Sequence, residues 1–190
     1  NDDCGHGTSM AGAATGPRTS LGSTTGVAYN ANLITVRAAT DALIDEARET
    51  KGVTDAFTLA GNTISAKIIS MSMGRITSSG PISDAIDYAY NKGKLIFCAG
   101  GTSFGWSAGW YGVIFPATIS NVNAVTGIKD NYSRCSSCHD GSEIDFTVVM
   151  EKASNELHQL SVAQSGNTPS TVGGSSVATA TTAGIAALVW

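Results

Sequence analysis

The last part of the chain contains an uncharged segment that predicts a buried helix. Residues 173–180 read Gly-Gly-Ser-Ser-Val-Ala-Thr-Ala, and no charged residue occurs between there and Trp190. Because the side chains from Val177 onward are apolar or small on every face, the pattern predicts a helix buried inside the fold. The two glycines in front of it permit a tight, close-packed turn.

Two serines, Ser175 and Ser176, stand at the start of this predicted helix. Serine is a favoured N-cap residue, so capping is the simplest interpretation. The same position lies beside unpaired backbone N–H groups and the positive end of the helix dipole. Such a place suits a nucleophile and can stabilise a developing oxyanion. Taken alone, the stretch favours capping and leaves the catalytic interpretation open.

The remaining chain alternates between short apolar runs and segments with helical spacing. Strands are predicted at 33–36, 68–73, 94–98, 122–128 and 144–149, and helices at 9–14, 41–49, 54–60 and 81–92. Residues 151–159 are polar and predict a surface loop or a short helix. The alternation predicts an α/β fold with a doubly wound parallel sheet. Since function gathers at the carboxyl ends of such strands, residues 73–74 and 100–101 become candidates.

Composition narrows the classes of protein that this chain can belong to. With 190 residues, 42% of them hydrophobic and 14% charged, we expect one domain over residues 1–190 with a sizeable core. The net charge of -4, without a basic stripe, argues against nucleic acid as a partner. No apolar run reaches the roughly 18 residues that would span a membrane. The chain lacks an initial Met and stops inside the predicted buried helix, so we expect a fragment truncated at both ends. We also expect a monomer.

A histidine near the start of the chain, His6, lies between two glycines. A lone histidine is usually structural. Here little side-chain bulk shields the imidazole, and histidine is the usual general base near neutral pH.

Two motifs together carry a family resemblance. Residues 5–12 (Gly-His-Gly-Thr-Ser-Met-Ala-Gly) resemble the histidine motif of the subtilisin-like serine peptidases, and residues 174–178 (Gly-Ser-Ser-Val-Ala) resemble their serine motif. The segments 26–36, 69–74 and 97–101 match the family in the same order. The resemblance covers essentially the whole chain. It implies a three-layer subtilisin-like fold with helices on both faces of the sheet.

The resemblance implies a serine endopeptidase that hydrolyses peptide bonds. Ser176 would be the nucleophile that forms the acyl-enzyme, and His6 the general base that takes its proton. The implied substrate-binding residues are Ser72, Met73 and Gly74, which would pair with an extended polypeptide substrate, and Ala99 and Gly100, which would form the opposite wall of the pocket. The step at 115–116 matches an aromatic-proline step of the family just beyond that pocket, where a cis peptide is possible.

Three departures from the family pattern bear on activity. The orienting aspartate of the family lies on a strand well before the histidine, whereas this chain begins too late to include it; its loss costs on the order of 10⁴-fold. Gly101 stands at the oxyanion position, where the family places an asparagine donor worth roughly 10²–10³-fold. Thr102 or a backbone N–H would have to compensate. Ala180 replaces a proline, which should be a mild change. The alternative is therefore a catalytically impaired, peptidase-like domain that binds peptides or a protein partner.

The four cysteines allow more than one interpretation. Residues 135–139 (Cys-Ser-Ser-Cys-His) fit the pattern of c-type haem attachment, but their surroundings are polar. A disulfide between Cys135 and Cys138, or from one of them to another cysteine, is favoured. Cys4 is either a disulfide partner or a thiol near the site, and Cys98 lies on a predicted buried strand. His139 and His158 are interpreted as surface residues.

No cofactor or metal site is predicted from the residues. Calcium is common in the family, but the loop 16–25 contains no Asp, Glu or Asn that would provide oxygen ligands. Trp106 and Trp110 either line a pocket or pack over the core, and together with Ile114 they would narrow the pocket. The low charge and the even number of cysteines favour a secreted or cell-envelope location.

Overall fold

A parallel four-stranded sheet forms the centre of the molecule. The computed structural model describes residues 4–18, 25–40, 42–103, 109–157, 159–162 and 169–190. The strands are β1 (Ile68–Met71), β2 (Leu95–Ala99), β3 (Asn123–Lys129) and β4 (Ile144–Glu151). They lie side by side in that order, and each adjacent pair is parallel. All four were predicted close to these bounds, and the doubly wound parallel sheet is confirmed.

Helices cover both faces of this sheet. They are α1 (His6–Thr15), α2 (Ala47–Asn62), α3 (Gly80–Asn91) and α4 (Gly174–Val189). On one face, Phe57 of α2 and Ile86 of α3 belong to one buried apolar cluster. On the other face, Ala13 of α1 and Val177 of α4 belong to a second cluster. The three-layer α/β arrangement predicted by the resemblance is confirmed.

The small side chains of α4 allow close packing against its neighbours. Residues 174–184 are buried, with the exception of the partly buried Ser176. A Cβ on Gly184 would lie 2.9 Å from Cβ of Val27 and 3.0 Å from the carbonyl oxygen of Ala14 in α1, so a larger residue here would push its neighbours aside. The end of the helix differs from the prediction, because Leu188 and Val189 are 65% and 83% exposed.

The segment 33–36, predicted as a strand, is not one. Residues 32–38 have no regular secondary structure, and Leu33, Ile34 and Val36 are about half exposed. An apolar, β-branched run becomes a strand only where a neighbouring strand offers pairing and burial, so propensity alone is insufficient.

The predicted helix 54–60 lies within one longer helix, α2, which also takes in the last three residues of the predicted helix 41–49. Residues 42–46 are not helical, so that part of the prediction is wrong. The Glu49 side chain accepts hydrogen bonds from the backbone N–H groups of Asp45 and Glu46, which places the start of the helix at Ala47. A carboxylate that satisfies otherwise unpaired donors favours such a start.

An antiparallel hairpin near the end of the chain was not predicted. Its strands are β5 (Gln159–Val162) and β6 (Pro169–Val172), paired from Gln159 with Val172 to Val162 with Pro169. β6 is followed directly by the turn before α4, so the hairpin immediately precedes the predicted site in the chain.

Candidate active site

Ser175 and Ser176 lie within the first turn of α4 rather than at its cap. The N-cap is Gly173, which has no side chain to bond the helix, and Gly174 adopts a positive φ of 86°. The capping interpretation of the two serines is therefore wrong. The glycine turn leaves both hydroxyl groups available for contacts outside the helix.

Ser176 contacts the segment that follows β1. The Ser72 hydroxyl donates to the Ser176 carbonyl oxygen at 2.8 Å, and the Ser176 hydroxyl donates to the Ser72 carbonyl oxygen at 3.4 Å. The second bond is long, so it holds the Ser176 hydroxyl weakly. The structure thus brings the predicted nucleophile to one predicted wall of the substrate pocket.

A pocket opens between this segment, the end of β2 and the first turn of α4. The predicted site residues that line it are Ser72, Met73, Gly74, Ala99, Gly101 and Ser176. It is also lined by Ala42, Leu43, Arg75, Ile76, Thr102, Ile114, His139 and Ser175. Gly100 lies behind the wall instead, where its N–H donates to the Val125 carbonyl at 2.8 Å.

The backbone of Gly74 is already paired. Its N–H donates to the Ala42 carbonyl oxygen at 3.2 Å, and its own carbonyl oxygen accepts from the Ile44 N–H at 3.0 Å. The chain's segment 42–44 therefore lies where the resemblance places an extended substrate. A substrate that pairs with Gly74 must displace this segment.

A polar network surrounds Ser175, the neighbour of the predicted nucleophile. The Gly101 N–H donates to the Ser175 hydroxyl at 3.1 Å, and the Thr102 hydroxyl lies 3.0 Å from the same oxygen. The Thr102 hydroxyl also accepts from the Ser175 N–H at 3.1 Å. Gly101 has a φ of 128°. The predicted oxyanion position thus fixes the first turn of α4 through backbone and hydroxyl groups.

His139 is buried at the pocket, and its interpretation as a surface residue is wrong. Its side chain is only 2% exposed, and its ring packs edge-on against Trp110 and Tyr111. Nδ1 lies 2.8 Å from the Gly112 carbonyl oxygen. Because a carbonyl only accepts, Nδ1 carries a proton. Burial lowers the pKa of His139, which favours the neutral ring.

The polar residues around His139 in the sequence gave no indication of this burial. The ring is enclosed by the loops at 101–103 and 109–112, which are distant in the chain. The glycine at position 101 was the one available signal, because a Cβ there would lie 2.5 Å from Nδ1 of His139.

The predicted disulfide between Cys135 and Cys138 is present, and both residues are buried. Sulfurs joined in a disulfide are not available to attach haem, so the structure favours the disulfide interpretation. Cys98 is a buried thiol and Cys4 an exposed one. Burial also raises the pKa of the Cys98 thiol.

Three further predictions concern the surroundings of the pocket. The Phe115–Pro116 bond is cis, as the resemblance implied. Trp110 packs on His139 and is 43% exposed. Trp106, His158 and most of the loop 16–25 lie outside the described residues. The described part contains no group of three or more His, Cys, Asp or Glu side chains that could hold a metal ion.

His6 is the first residue of α1 and is partly buried. Helix α1 packs on α4, where Ala14 meets Gly184. Both of these residues lie eight positions after the predicted catalytic residues, His6 and Ser176 respectively. The number of residues from His6 to the contact in α1 therefore equals the number from Ser176 to the contact in α4.

Comparison with known proteins identifies the family. The sequence profile of the Subtilase family matches residues 1–190. The chain is 31% identical to the thermostable alkaline protease of Halalkalibacterium halodurans over 191 residues, which cover 100% of this chain and 48% of that protein. It is 30% identical to thermitase of Thermoactinomyces vulgaris over 143 residues, 74% of this chain and 47% of that protein.

The fold comparison agrees. The structure of sphericase superposes with a TM-score of 0.75 at 29% identity, covering 100% of this chain and 64% of that one. The chain spans about half the length of the two curated relatives named above, 48% and 47%. On sequence and on fold, this chain belongs to the subtilase family of serine peptidases.

Proposed function

We propose that the protein carrying this chain is a serine endopeptidase that cleaves polypeptides through an acyl-enzyme on Ser176. The observation that carries the proposal is the placement of Ser176: it lies in the first turn of α4, at the pocket, and within the described part of the chain its hydroxyl donates one long bond, of 3.4 Å, to Ser72. A serine in this setting can turn towards a base without breaking a strong bond.

His6 is the proposed general base. Serine is inert at its free pKa and needs an adjacent base, which histidine provides near neutral pH. The support comes from the packing of α1 on α4: His6 and Ser176 each precede the Ala14–Gly184 contact by eight residues. His6 begins α1 and Ser176 lies in the first turn of α4, so each side chain lies at the N-terminal end of its helix.

The oxyanion would be stabilised mainly by backbone groups. The first N–H groups of a helix have no partner within the helix, and Ser176 lies in that turn. The helix dipole adds favourable positive potential. Gly101 provides no side-chain donor, so we expect an enzyme slower than a relative with an amide donor there, by roughly 10²–10³-fold.

The pocket favours a small or medium apolar side chain. Its lining includes Met73, Ile76 and Ile114, and the Ile114 side chain approaches so closely that a Cβ on Gly74 would lie 2.6 Å from it. Burial of apolar surface would provide most of the binding energy for such a residue.

The test uses the full-length protein and a fluorophosphonate probe, which reacts with activated serines. We expect label on Ser176, hydrolysis of fluorescent casein, and loss of both in Ser176→Ala. The control Ser83→Ala changes a serine on α3 and should leave both readouts unchanged. A folded, mature protein that carries no label on Ser176 would contradict the proposal.

A second function, peptide binding without catalysis, has specific support. Gly101 lacks a donor side chain, and segment 42–44 already occupies the backbone of Gly74. In that case the full-length protein would bind casein peptides in a pull-down or by calorimetry, yet leave the fluorophosphonate unreacted.

We also propose that the protein acts outside the cytosol as a monomer and needs no cofactor beyond a structural calcium ion at most. The buried disulfide supports an oxidising compartment. In the described residues no helix is long and apolar enough to cross a membrane. Fractionation of the producing cells tests the location, and a melting curve with and without a calcium chelator tests the metal.

A further inference from the structure

The turn 135–139, which contains His139, is hydrogen-bonded to the loop 101–103 beside Ser175. The His139 N–H donates to the Gly101 carbonyl oxygen at 2.9 Å, and the Ser103 N–H donates to the Ser137 carbonyl oxygen at 2.6 Å. The loop 101–103 in turn bonds Ser175 through the Gly101 N–H and the Thr102 hydroxyl. A continuous set of hydrogen bonds therefore connects the turn 135–139, through the loop 101–103, to Ser175 in the first turn of α4.

The ring of His139 strengthens this connection. It fills the space next to the Gly101 Cα, where a Cβ would lie 2.5 Å from Nδ1. Nδ1–H donates to the Gly112 carbonyl oxygen at 2.8 Å, and Nε2 lies 3.1 Å from the Ser103 hydroxyl. The ring is thus held from three sides, and two of its contacts are with the loop 101–103.

The turn itself has a rigid base. The Cys135–Cys138 disulfide closes it, and both the N–H and the hydroxyl of Ser136 donate to the buried Glu151 carboxylate at 2.6 Å. The Thr126 hydroxyl donates to the His139 carbonyl oxygen at 2.5 Å. Thr126 lies on β3 and Glu151 ends β4. These hydrogen bonds therefore hold His139 in a fixed position relative to the central sheet.

We propose that His139 is a positioning residue for Ser176: its ring and backbone hold the loop 101–103 against Ser175 and so set the first turn of α4. The glycine at 101 and the histidine at 139 are a matched pair, because a side chain at 101 would take the place of the ring. The inference rests on the proposed function of Ser176.

His139 acts here through Gly101 and Thr102 and not on the substrate. Both of its ring nitrogens are occupied, Nδ1 by Gly112 and Nε2 by Ser103. In the neutral ring Nε2 accepts a hydrogen bond from the Ser103 hydroxyl. This nitrogen therefore carries no proton that it could donate to an oxyanion.

The experiment measures fluorophosphonate labelling of the full-length protein as a function of probe concentration. In His139→Ala we expect the maximal labelling rate to fall by about 10-fold to 100-fold, as for a small misplacement of reacting groups, while the half-saturating probe concentration changes less. His139→Asn keeps a donor near the place of Nδ1 and should recover part of the rate.

The control is Ile82→Val in the core of α3, remote from the turn, which lowers stability without touching the loop. It should label at the wild-type rate well below its melting temperature. A His139→Ala protein that labels at the wild-type rate would overturn the inference, as would an equal loss of rate in Ile82→Val. Absence of label in the wild-type protein would instead count against the proposed function itself.

Discussion

A side chain on residue 101 and the ring of His139 compete for the same space: a Cβ built on Gly101 would lie 2.5 Å from Nδ1 and 2.8 Å from Cγ of the ring. The asparagine that the family resemblance places at this position therefore cannot be accommodated while His139 stays where it is. This structural conflict explains how a glycine is compatible with a site that otherwise follows the family motifs.

We expect Gly101→Ala to destabilise the protein by more than its backbone conformation accounts for. At a φ of 128°, outside the left-handed α region, a residue with a Cβ costs about 1–3 kcal/mol. Contact with the buried ring adds about 1–3 kcal/mol of overpacking. Urea unfolding should show the sum, and Gly101→Ala introduced into the His139→Ala protein should cost only the first part.

The matched control for this prediction is Gly93→Ala. Gly93 has a φ of 76°, and nothing lies within 4 Å of the position of its Cβ. It should show the cost of a left-handed backbone without a side-chain contact, about 1–2 kcal/mol. A Gly101→Ala loss no larger than this would contradict the matched pair.

Stability should depend on pH through His139. Burial lowers its pKa in the folded state, Arg134 acts in the same direction, and the Gly112 carbonyl and Asp140 act against it. As the pH falls through about 6.5, the unfolded chain gains a proton before the folded one does. The contribution of this ring to stability is therefore complete above that pH and is lost below it.

The measurement compares wild type with His139→Asn by urea unfolding between about pH 8 and about pH 5, on either side of the usual histidine pKa. The stability advantage of the wild type should shrink as the pH falls. His6 and His158 are present in both proteins, so their effects cancel in the comparison. An advantage that stays constant or grows towards low pH would show that the pKa is not lowered.

The elements that the sequence predicted well are those with a local pattern. The apolar run of β2 and the helical spacing of α3 need only short windows, and the structure has both within two residues of the predicted bounds. The order of the histidine and serine motifs likewise required no geometry. These features predicted the fold and the pocket wall from 72 to 74.

The features that were missed depend on distant partners. Segment 33–36 has a strand-like composition but no adjacent strand among the described residues. His139 has polar neighbours in the chain, yet it is enclosed by Gly112 and Ser103, which no local window connects to it. Ser175 resembles a cap, but Gly173 ends the turn and places it inside the helix.

Thr102→Val should weaken both stability and reactivity. The substitution keeps the shape but removes the oxygen that accepts from the Ser175 N–H and bonds its hydroxyl. Ser175 is 1% exposed, so water cannot replace these bonds, and the loss should be about 1–3 kcal/mol. Urea unfolding and the fluorophosphonate labelling rate check the two effects.

Thr58→Val provides the comparison, since it removes a hydroxyl whose 2.9 Å bond to Thr54 lies on the exposed surface of α2. Its effect should stay within about 0.5 kcal/mol, without a change in labelling. If Thr102→Val were equally mild, the network around Ser175 would not be what holds the first turn of α4.

Binding of a peptide along Gly74 should release the segment 42–44. The Gly74 carbonyl oxygen now accepts the Ile44 N–H, and an added strand would take that acceptor. With a short peptide aldehyde bound to the full-length protein, hydrogen exchange at the Ile44 amide should become faster, whereas the Gly74 amide should stay protected because it only changes partner. The Ile114 amide, bonded to the Gly100 carbonyl oxygen on the opposite side, serves as the internal control and should not change. An Ile44 amide that remains fully protected in the bound protein would mean that the substrate pairs with Ser72 and Met73 alone, and that segment 42–44 is a permanent part of the wall.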